Sequence, residues 1–535
     1  MPNPILGIDL GTTYSCVAVL DKYKQPQVLR SREGASTTPS IISFDNNDQA
    51  IVGEEAKNRW RACPEKTVAF IKREMTKEES FRKPTHFPLG YDPSEFSAFI
   101  LKKLLGDAIE ALADDYDENE PVKAVITCPA YFDTRAKERT KQAGIMAGLD
   151  VLHVINEPTA AAIAYGSKSS DDQTILVYDL GGGTFDVTIL KVENRQYKVI
   201  ATGGDPLLGG YDWDQRLAKW ILNAYNRQYH TSYELPSTEE ALHYSDPKIK
   251  RMRASLLIEA ERLKKSLCNN ARKSKKNAAS QGGPAEGTAE TSWLFEDDGH
   301  SLQITQISLR EFAAMTEDLL NDTINKVKET LRAAEGKGIT KIDKWILVGG
   351  SSYMPQVKER LDKVFGCNAL LSDPNEAVAK GAALYSEGQV RDVTSKTYGT
   401  DCLVTENGET VKKVKNLIFK NDEIPAVKDD TFTTSTQFQK EVPMEIYESE
   451  SMERIINPSE AELINGNNTL RIKNQLPKGS PIKVKFSIDK SGILHVYAHM
   501  EDGSSLEFDM EISGVRSNEE LRNIKRNIDD RSRNL

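Results

Sequence analysis

Two separate segments of the sequence place an aspartate directly before a turn rich in glycine and threonine. Asp9 ends an apolar run and is followed by Leu-Gly-Thr-Thr, and Asp179 ends another and is followed by Leu-Gly-Gly-Gly-Thr. Glycines let consecutive backbone N–H groups approach phosphate oxygens, and threonine hydroxyls add further donors. Carboxylates arriving from two sides suit a hydrated Mg2+ that neutralises those phosphates. The repeated pattern therefore predicts a magnesium-assisted clamp for the phosphates of a nucleotide.

The duplication makes this pattern informative, because one such turn alone would be an ordinary hairpin. Apolar runs that are predicted to be strands flank both copies. No Gly-x-x-x-x-Gly-Lys-Ser/Thr segment occurs in the sequence, and no Gly-x-Gly-x-x-Gly opens a helix in a Rossmann unit. The phosphates are therefore expected to be held by two hairpins instead of a single glycine-rich loop.

Length and composition limit the other classes of function. With 535 residues, 39% of them apolar and 28% charged, the chain has the composition of a soluble protein of several domains. Its net charge of −10 argues against a general nucleic-acid-binding protein, and no apolar run is long enough to predict a membrane span. The six cysteines lack metal-ligand spacing and no secretory signal is recognisable, so a cytoplasmic location is expected.

The order of the predicted elements divides the chain into two structured parts. Strands and helices alternate through residues 1–385, which predicts an α/β domain. Residues 386–396 are short and polar and are predicted to be a linker. Short strands with turn signals cover 397–512 and predict an antiparallel β module, and the charged segment 513–535 is predicted to form one short helix at most.

A predicted helix from Pro247 to Cys268 carries a second group of candidate residues. Four of its polar positions, spaced three, four and seven residues apart, share one face: Glu261, Lys264, Lys265 and Cys268. These residues could form a face that contacts a ligand. A solvated charged face would show the same pattern, so the spacing alone leaves both interpretations open. The lysine- and serine-rich run that follows, 269–291, is predicted to be a disordered surface loop.

Four motifs occur in order along the chain: Asp9-Leu-Gly-Thr-Thr13, Asn156-Glu-Pro-Thr-Ala-Ala-Ala162, Asp179-Leu-Gly-Gly-Gly-Thr-Phe-Asp186 and Val348-Gly-Gly-Ser-Ser352. Together they resemble the motifs of the DnaK family, the seventy-kilodalton heat-shock chaperones. The resemblance covers about residues 4–512, and the short segment after Lys72 is similar to the HscC branch of that family. It implies an α/β actin-like ATPase domain of two ribonuclease-H-like halves, followed by an antiparallel β-sandwich that binds peptides.

The resemblance also implies roles for individual residues. Lys72 would position the attacking water, and Asp9, Glu157 and Asp179 would hold the metal. The implied catalytic residues are Lys72, Glu157, Asp179, Thr184 and Asp186. The implied nucleotide-binding residues are Gly11, Thr12, Thr13, Tyr14, Gly181, Gly182, Gly183, Thr184, Gly209, Gly210, Glu261, Lys264, Lys265, Cys268, Gly349, Gly350, Ser351, Tyr353 and Asn375. The implied ligands are ATP or ADP with Mg2+, and K+ is a further candidate.

Three positions near the implied base differ from the family pattern. Lys265 and Tyr353 stand where the family has arginines against the adenine ring, and Asn375 replaces an aspartate. A lysine lacks the planar stacking surface of a guanidinium, which the Tyr353 ring could restore.

The positions that would connect the two domains also differ. Pro129 and Lys137 match residues that transmit the nucleotide state, with lysine in place of an arginine. The linker Gln389-Val-Arg-Asp-Val393 has only two valines to bury, so weak coupling is expected. The candidates for a peptide pocket are Val404, Ile424, Phe432, Val442 and Met444, all of which could equally be sandwich core. The family's helical lid is expected to be absent or vestigial.

The leading interpretation is a molecular chaperone that hydrolyses ATP slowly and binds extended apolar segments of unfolded proteins. A J-domain co-chaperone and a nucleotide exchange factor are its implied partners, with no nucleic acid and no membrane. The alternative is an ATP-binding regulator or scaffold of the same family that does not hydrolyse ATP. A small-molecule kinase is a third interpretation, which the β module after Tyr353 disfavours.

Overall fold

The computed structural model describes residues 3–77, 80–81, 87–113, 116–166, 172–194, 196–237, 246–281, 287–385, 390–406, 408–489, 494–509, 516–533 and 535. The strands are β1 (Leu6–Asp9), β2 (Tyr14–Leu20), β3 (Pro26–Val28), β4 (Thr38–Pro39), β5 (Ile41–Phe44), β6 (Ala50–Val52), β7 (Thr67–Ala69), β8 (Lys123–Cys128), β9 (Asp150–Asn156), β10 (Gln173–Leu180), β11 (Phe185–Glu193), β12 (Gln196–Asp205), β13 (Thr288–Thr291), β14 (Leu294–Phe295), β15 (His300–Ser301), β16 (Thr305–Ser308), β17 (Lys344–Val348), β18 (Leu370–Leu371), β19 (Val390–Arg391), β20 (Thr397–Glu406), β21 (Glu409–Ile418), β22 (Ala426–Thr433), β23 (Glu441–Ser449), β24 (Ile455–Ile456), β25 (Glu462–Arg471), β26 (Pro481–Ile488), β27 (Leu494–His499) and β28 (Ser505–Asp509). The α-helices are α1 (Glu54–Trp60), α2 (Pro93–Leu112), α3 (Thr134–Ala147), α4 (Glu157–Gly166), α5 (Gly210–Tyr229), α6 (Pro247–Gln281), α7 (Leu309–Met315), α8 (Glu317–Glu335), α9 (Pro355–Phe365), α10 (Ala377–Leu384) and α11 (Asn518–Arg531).

Two mixed sheets with a common plan form the α/β part of the chain. In the first, ordered β3-β2-β1-β8-β9, the strand β1 is antiparallel to β2 and parallel to β8. In the second, ordered β18-β17-β10-β11-β12-β19, the strand β10 is antiparallel to β11 and parallel to β17. Asp9 and Asp179 therefore lie near the ends of equivalent strands, β1 and β10, and each is followed by a hairpin.

Two helices rich in small residues hold the sheets close together. Helices α4 and α10 are in close contact at Ala160 and Gly381. A Cβ atom added to Gly381 would overlap the Ala160 carbonyl and lie 3.0 Å from the Ala160 Cα. Gly7 of β1 is similarly close to α10, because a Cβ there would lie 2.7 Å from the Cα of Ala383. Only glycine permits backbones to approach this closely. This packing brings the ends of β1 and β10 toward each other.

Separate apolar cores lie under the two sheets and within the β module. The core of the first sheet includes Leu6, Ile8, Phe99, Leu101 and Ile126. The core of the second sheet includes Leu176, Tyr178, Phe185, Trp213 and Leu263. Among the described helices, none has the length and apolar composition needed to cross a lipid bilayer.

The long helix α6 differs from the sequence prediction at its C-terminal end. It runs from Pro247 to Gln281, so the loop predicted from residue 269 is wrong as far as residue 281. Alanine, lysine, arginine and asparagine dominate this stretch, and no glycine or proline occurs before residue 282. Nothing in it therefore ends a helix. Residues 282–286 lie outside the described residues.

The second part of the chain folds into two packed antiparallel sheets, in line with the predicted strands. Their orders are β24-β21-β20-β23-β25 and β22-β26-β27-β28. The side chains between them include Tyr398, Ile446, Phe486, Leu494 and Val496, all at most 3% exposed. The predicted turns at Asn407 and at residues 490–492 fall outside the described residues.

The C-terminal helix α11 packs on the first half of the α/β part. It begins with a capping box, as the Ser517 and Glu520 spacing favours. Leu521 and Ile528 are 4% and 0% exposed and belong to the same apolar core as residues of α2 and α3. Arg516 forms a 2.5 Å ion pair with the Asp92 carboxylate. The sequence predicted a short helix here, but not the surface that it covers.

Replacing Ile528 by alanine should release α11 from this surface. Truncating a fully buried isoleucine costs about 3 kcal/mol, because apolar contacts are lost and a cavity remains. We expect faster tryptic cleavage within 516–533 and a lower melting temperature. Asn527→Ala, at an exposed position of the same helix that is not a tryptic site, serves as the control and should behave like the unmodified protein. Equal cleavage of the two variants would contradict this packing.

Candidate active site

The two glycine turns of the sequence pattern lie against each other. A Cβ on Gly182 would overlap the Thr13 hydroxyl and lie 2.6 Å from the Thr13 Cβ, and one on Gly183 would lie 2.8 Å from the Thr12 Cβ. Thr13 Oγ1 is buried and has no hydrogen-bond partner among the described residues. A buried hydroxyl without a partner, placed between two glycine turns, is a donor available to a ligand.

Behind these turns lie four carboxyl groups and the ammonium group of Lys72. Glu157, Asp179 and Asp186 are buried, Asp9 is half-buried, and Lys72, which is 5% exposed, forms an ion pair with Glu157. Burial, followed by repulsion from Glu157, raises the pKa of Asp9 to about 7 and the pKa of Asp186 to about 8. The same two causes hold the pKa of Asp179 well above its usual range. If all four groups were ionised, the cluster would carry an excess of negative charge that a bound cation would balance.

The carboxyl groups fit a hydrated ion better than a metal ligated by several side chains. Within the described ranges, no three carboxylate, imidazole or thiol groups are close enough to bind one ion together. Mg2+ usually keeps several waters and is held by one or two carboxylates and by phosphate oxygens. Asp9 and Asp179, placed behind the two turns, suit that mode of binding.

Three of the predicted residues support the cleft from behind. Ala130, which follows the predicted coupling residue Pro129, donates its N–H to Asp186 at 2.9 Å. The Gly183 carbonyl accepts a 2.7 Å hydrogen bond from Arg73, and a Cβ on Gly209 would lie 2.6 Å from the Gly183 Cα. Asp186, Gly183 and Gly209 therefore position the walls of the cleft.

The other predicted residues line one cleft of about 470 Å³ between the two sheets. They are Asp9, Gly11, Thr12, Thr13, Tyr14, Lys72, Glu157, Asp179, Gly181, Gly182, Thr184, Gly210, Glu261, Lys264, Lys265, Cys268, Gly349, Gly350, Ser351, Tyr353 and Asn375. This volume suits a small-molecule ligand. Sequence reasoning missed Asp214, Asn269, Arg272, Met354 and Val378, which also line the cleft. Of these, Arg272 could have been found, because it follows Lys265 by the same two helical turns that separate Glu261 from Cys268.

A network of polar side chains joins the two sides of the cleft near Tyr14. Lys57 of α1 forms a 2.5 Å ion pair with Glu261 of α6, and the Tyr14 hydroxyl donates to Glu261 at 3.0 Å. Lys265 donates to the same hydroxyl at 2.8 Å. Burial alone would raise the pKa of Glu261, but Lys57 and Lys265 lower it to about 2. Lys57, which the sequence did not single out, therefore helps to close the cleft.

The described part of the linker lies on the edge of the second sheet. Strand β19 pairs with β12, and Val393 is 4% exposed. The Lys137 ammonium is 4.0 Å from the Asp392 carboxylate, and Asn156 donates to that carboxylate at 2.8 Å. The α/β part and the described linker residues are therefore in direct contact. Gln389 lies outside the described residues.

A buried ionic cluster joins the α/β part to the β module. Arg135 of α3 is 2.9 Å from Asp133 and 3.1 Å from Glu448 of β23, and all three residues are 5% exposed. Glu462 at 4.0 Å and Lys396 also face this cluster. Burial, then repulsion from Asp133, raises the pKa of Glu448 from near 4.5 to about 8.

Docking of the β module should therefore weaken as pH rises. Glu448 in the docked form holds its proton above pH 4.5, where the separated form has lost it. The contribution of Glu448 to the free energy of docking is therefore complete below about pH 4.5 and lost above about pH 8. Interdomain fluorescence energy transfer should fall across this window, and Glu448→Gln should remove most of the fall. Glu441→Gln, at an exposed position of the same strand, is the matched control. Docking that strengthens with rising pH would contradict this prediction.

The candidates for a peptide pocket do not all lie together. Val404, Phe432 and Val442 lie toward the ends of β20, β22 and β23 that are remote from the linker. Met444 is 4% exposed and forms part of the sandwich core. Ile424 lies at the opposite end, where its N–H donates to the Asp392 carbonyl of the linker. Along an extended strand the two ends of β22 are about 20 Å apart, so Ile424 is separated from the others.

Comparisons with known proteins agree with this architecture. A family model described as "Hsp70 protein" matches residues 5–88 and 82–533. The chain is 36% identical over 542 residues to the chaperone protein DnaK of Thermotoga neapolitana, covering 99% of this chain and 83% of that protein. It is also 36% identical over 526 residues to DnaK of Thermosipho africanus, covering 95% and 80%. The chain therefore belongs to the Hsp70 family, whose members are ATP-hydrolysing chaperones.

Proposed function

We propose that this chain binds Mg-ATP between its two glycine turns, hydrolyses it slowly, and thereby controls a β-sandwich that binds extended apolar segments of unfolded proteins. The observation that carries the proposal is the contact between the Gly182 and Thr13 turns above a cluster of buried carboxyl groups. This arrangement places phosphate donors and cation-binding groups together in one cleft.

Different groups of the site have different roles in the proposed hydrolysis. The turn N–H groups and the hydroxyls of Thr13 and Thr184 donate to phosphate oxygens. Asp9 and Asp179 would hold a hydrated Mg2+, which would supply the positive charge that neutralises the phosphates. Lys72, held by Glu157, orients the attacking water beside the terminal phosphate. Positioning and electrostatic stabilisation supply the catalysis, as in other phosphoryl transfers.

The proposed client site is the end of the sandwich that carries Val404, Phe432 and Val442. An extended peptide would be held there by backbone hydrogen bonds, with half-buried apolar side chains forming a pocket. J-domain proteins and nucleotide exchange factors are the proposed partners, with ATP, ADP, Mg2+ and K+ as ligands. Pro129 and Lys137, which adjoin Asp186 and the linker, would transmit the nucleotide state.

The alternative is a member of the family that binds ATP without hydrolysing it. The replacement of arginine by Lys265 and Tyr353 near the base, and the lysine at position 137, favour it. A single-turnover ATPase assay with and without an unfolded apolar peptide separates the two proposals. Hydrolysis that the peptide accelerates supports the chaperone, whereas tight ATP binding without hydrolysis supports the regulator.

A further inference from the structure

An arginine–tyrosine stack occupies one end of the cleft. The guanidinium carbon of Arg272 lies 4.4 Å from the centre of the Tyr353 ring, and Nη2 donates a 2.6 Å hydrogen bond to the Tyr353 carbonyl. Both residues line the cleft, beside Cys268 and Asn375. Because a guanidinium is planar, it stacks on an aromatic ring and still presents a second flat face.

Lys265, which the sequence placed against the base, is engaged elsewhere. Its ammonium donates to the Tyr14 hydroxyl at 2.8 Å, pairs with Glu261 at 2.7 Å and lies 4.5 Å from the centre of the Tyr14 ring. Arg272 follows Lys265 by about two helical turns, which is about 10 Å along α6. The Lys265 ammonium and the Arg272 guanidinium therefore lie in different parts of the cleft.

The backbone that carries Tyr353 is also held by contacts that do not involve Arg272. Residues Gly350–Tyr353 form a 3-10 turn in which the Met354 N–H donates to the Ser351 carbonyl at 3.1 Å. Met354 and Val357 are 2% and 0% exposed, so the following residues are anchored in the core. A change at Arg272 consequently alters the stack without removing the turn that carries Tyr353.

We infer that Arg272, stacked on Tyr353, is the residue that recognises the base and selects purine over pyrimidine nucleotides. A purine covers more of a flat cationic surface than a pyrimidine does, and base stacking on such a surface contributes to affinity without a fixed hydrogen-bond pattern. The inference rests on the proposed nucleotide site and adds the residue that sets its base preference.

The test compares the affinities for Mg-ADP and Mg-CDP by calorimetry on the full chain. Arg272→Ala should weaken Mg-ADP binding about tenfold and Mg-CDP binding much less, so that the ratio between them falls. Arg272→Lys keeps the positive charge and the helix but lacks the plane, and should show a similar fall. Lys273→Ala, at the exposed neighbouring position, should leave both affinities unchanged.

The outcomes distinguish this inference from the proposed function. A reduced ADP-to-CDP ratio in both Arg272 variants, with unaltered melting temperatures, supports the role of the stack. An unchanged ratio overturns it, whether both affinities are retained or both fall equally, as a purely structural role would require. If the unmodified protein binds neither nucleotide, the proposed function fails and this inference fails with it.

Discussion

Replacing Lys72 by methionine is expected to slow single-turnover ATP hydrolysis by about 10²–10³-fold while Mg-ATP still binds. Lys72 is buried, forms an ion pair with Glu157, and is the ammonium group that offsets the charges of Asp9 and Asp179. Methionine has a similar length but no charge, so the water beside the terminal phosphate would lose its orienting group. The measurement is rapid-quench hydrolysis of ATP prebound to the protein.

A matched control is available five residues further along the same segment. Lys77→Met removes an ammonium whose side chain is 44% exposed and which pairs with Glu74. It should leave the hydrolysis rate within about twofold, because an exposed ion pair contributes little. Breaking a buried pair costs about 3–5 kcal/mol, so the melting temperature of the Lys72 variant must be measured as well. Hydrolysis by a folded Lys72→Met protein at the normal rate would disprove the catalytic role of Lys72.

Gly182→Ala is expected to weaken Mg-ATP binding by about 100-fold, equivalent to roughly 2.7 kcal/mol. The added methyl group would overlap the Thr13 hydroxyl and lie 2.6 Å from the Thr13 Cβ, so the two turns would have to separate. Overpacking of this kind costs about 1–3 kcal/mol even before a ligand is considered. Separated turns could no longer direct their donors at the same phosphates. Calorimetry with Mg-ATP measures the loss.

Gly181→Ala in the same turn provides the comparison. A Cβ there would have Thr184 carbonyl oxygen as its nearest neighbour at 3.4 Å, which is an ordinary van der Waals distance. Its effect on affinity should therefore be much smaller, at about tenfold or less. Equal affinities for the two variants would mean that close contact between the turns is unimportant for binding.

The two glycine turns of the candidate site could be predicted from the sequence because local chain geometry encodes them. Asp9 and Asp179 each terminate an apolar strand, and the glycines after them allow the tight hairpins that the structure contains. The same logic placed Glu261, Lys264 and Cys268 on one helical face, and all three line the cleft. Periodicity and turn chemistry are short-range properties, so they are visible in a single sequence.

One prediction failed where composition was taken as a guide to structure. The run after Cys268 is rich in lysine and serine, yet α6 continues to Gln281 because these residues do not break a helix. The average composition of that run did not reveal the helix that its individual residues can form. Weak coupling through the polar linker stays a prediction, although Val393 is buried and Asp392 contacts Asn156.

By itself, the sequence determined the duplicated α/β plan, the two glycine turns and the order of the two structured parts. Only the tertiary structure decided that Lys57 pairs with Glu261, that Arg272 stacks on Tyr353 and that Glu448 meets Arg135 across the domain boundary. Each of these pairs joins residues from separate elements, and which of many exposed charges become neighbours depends on how whole helices and sheets pack. Spacing along one chain segment carries no information about that packing, because the packing follows from the combined burial of apolar surface in every element.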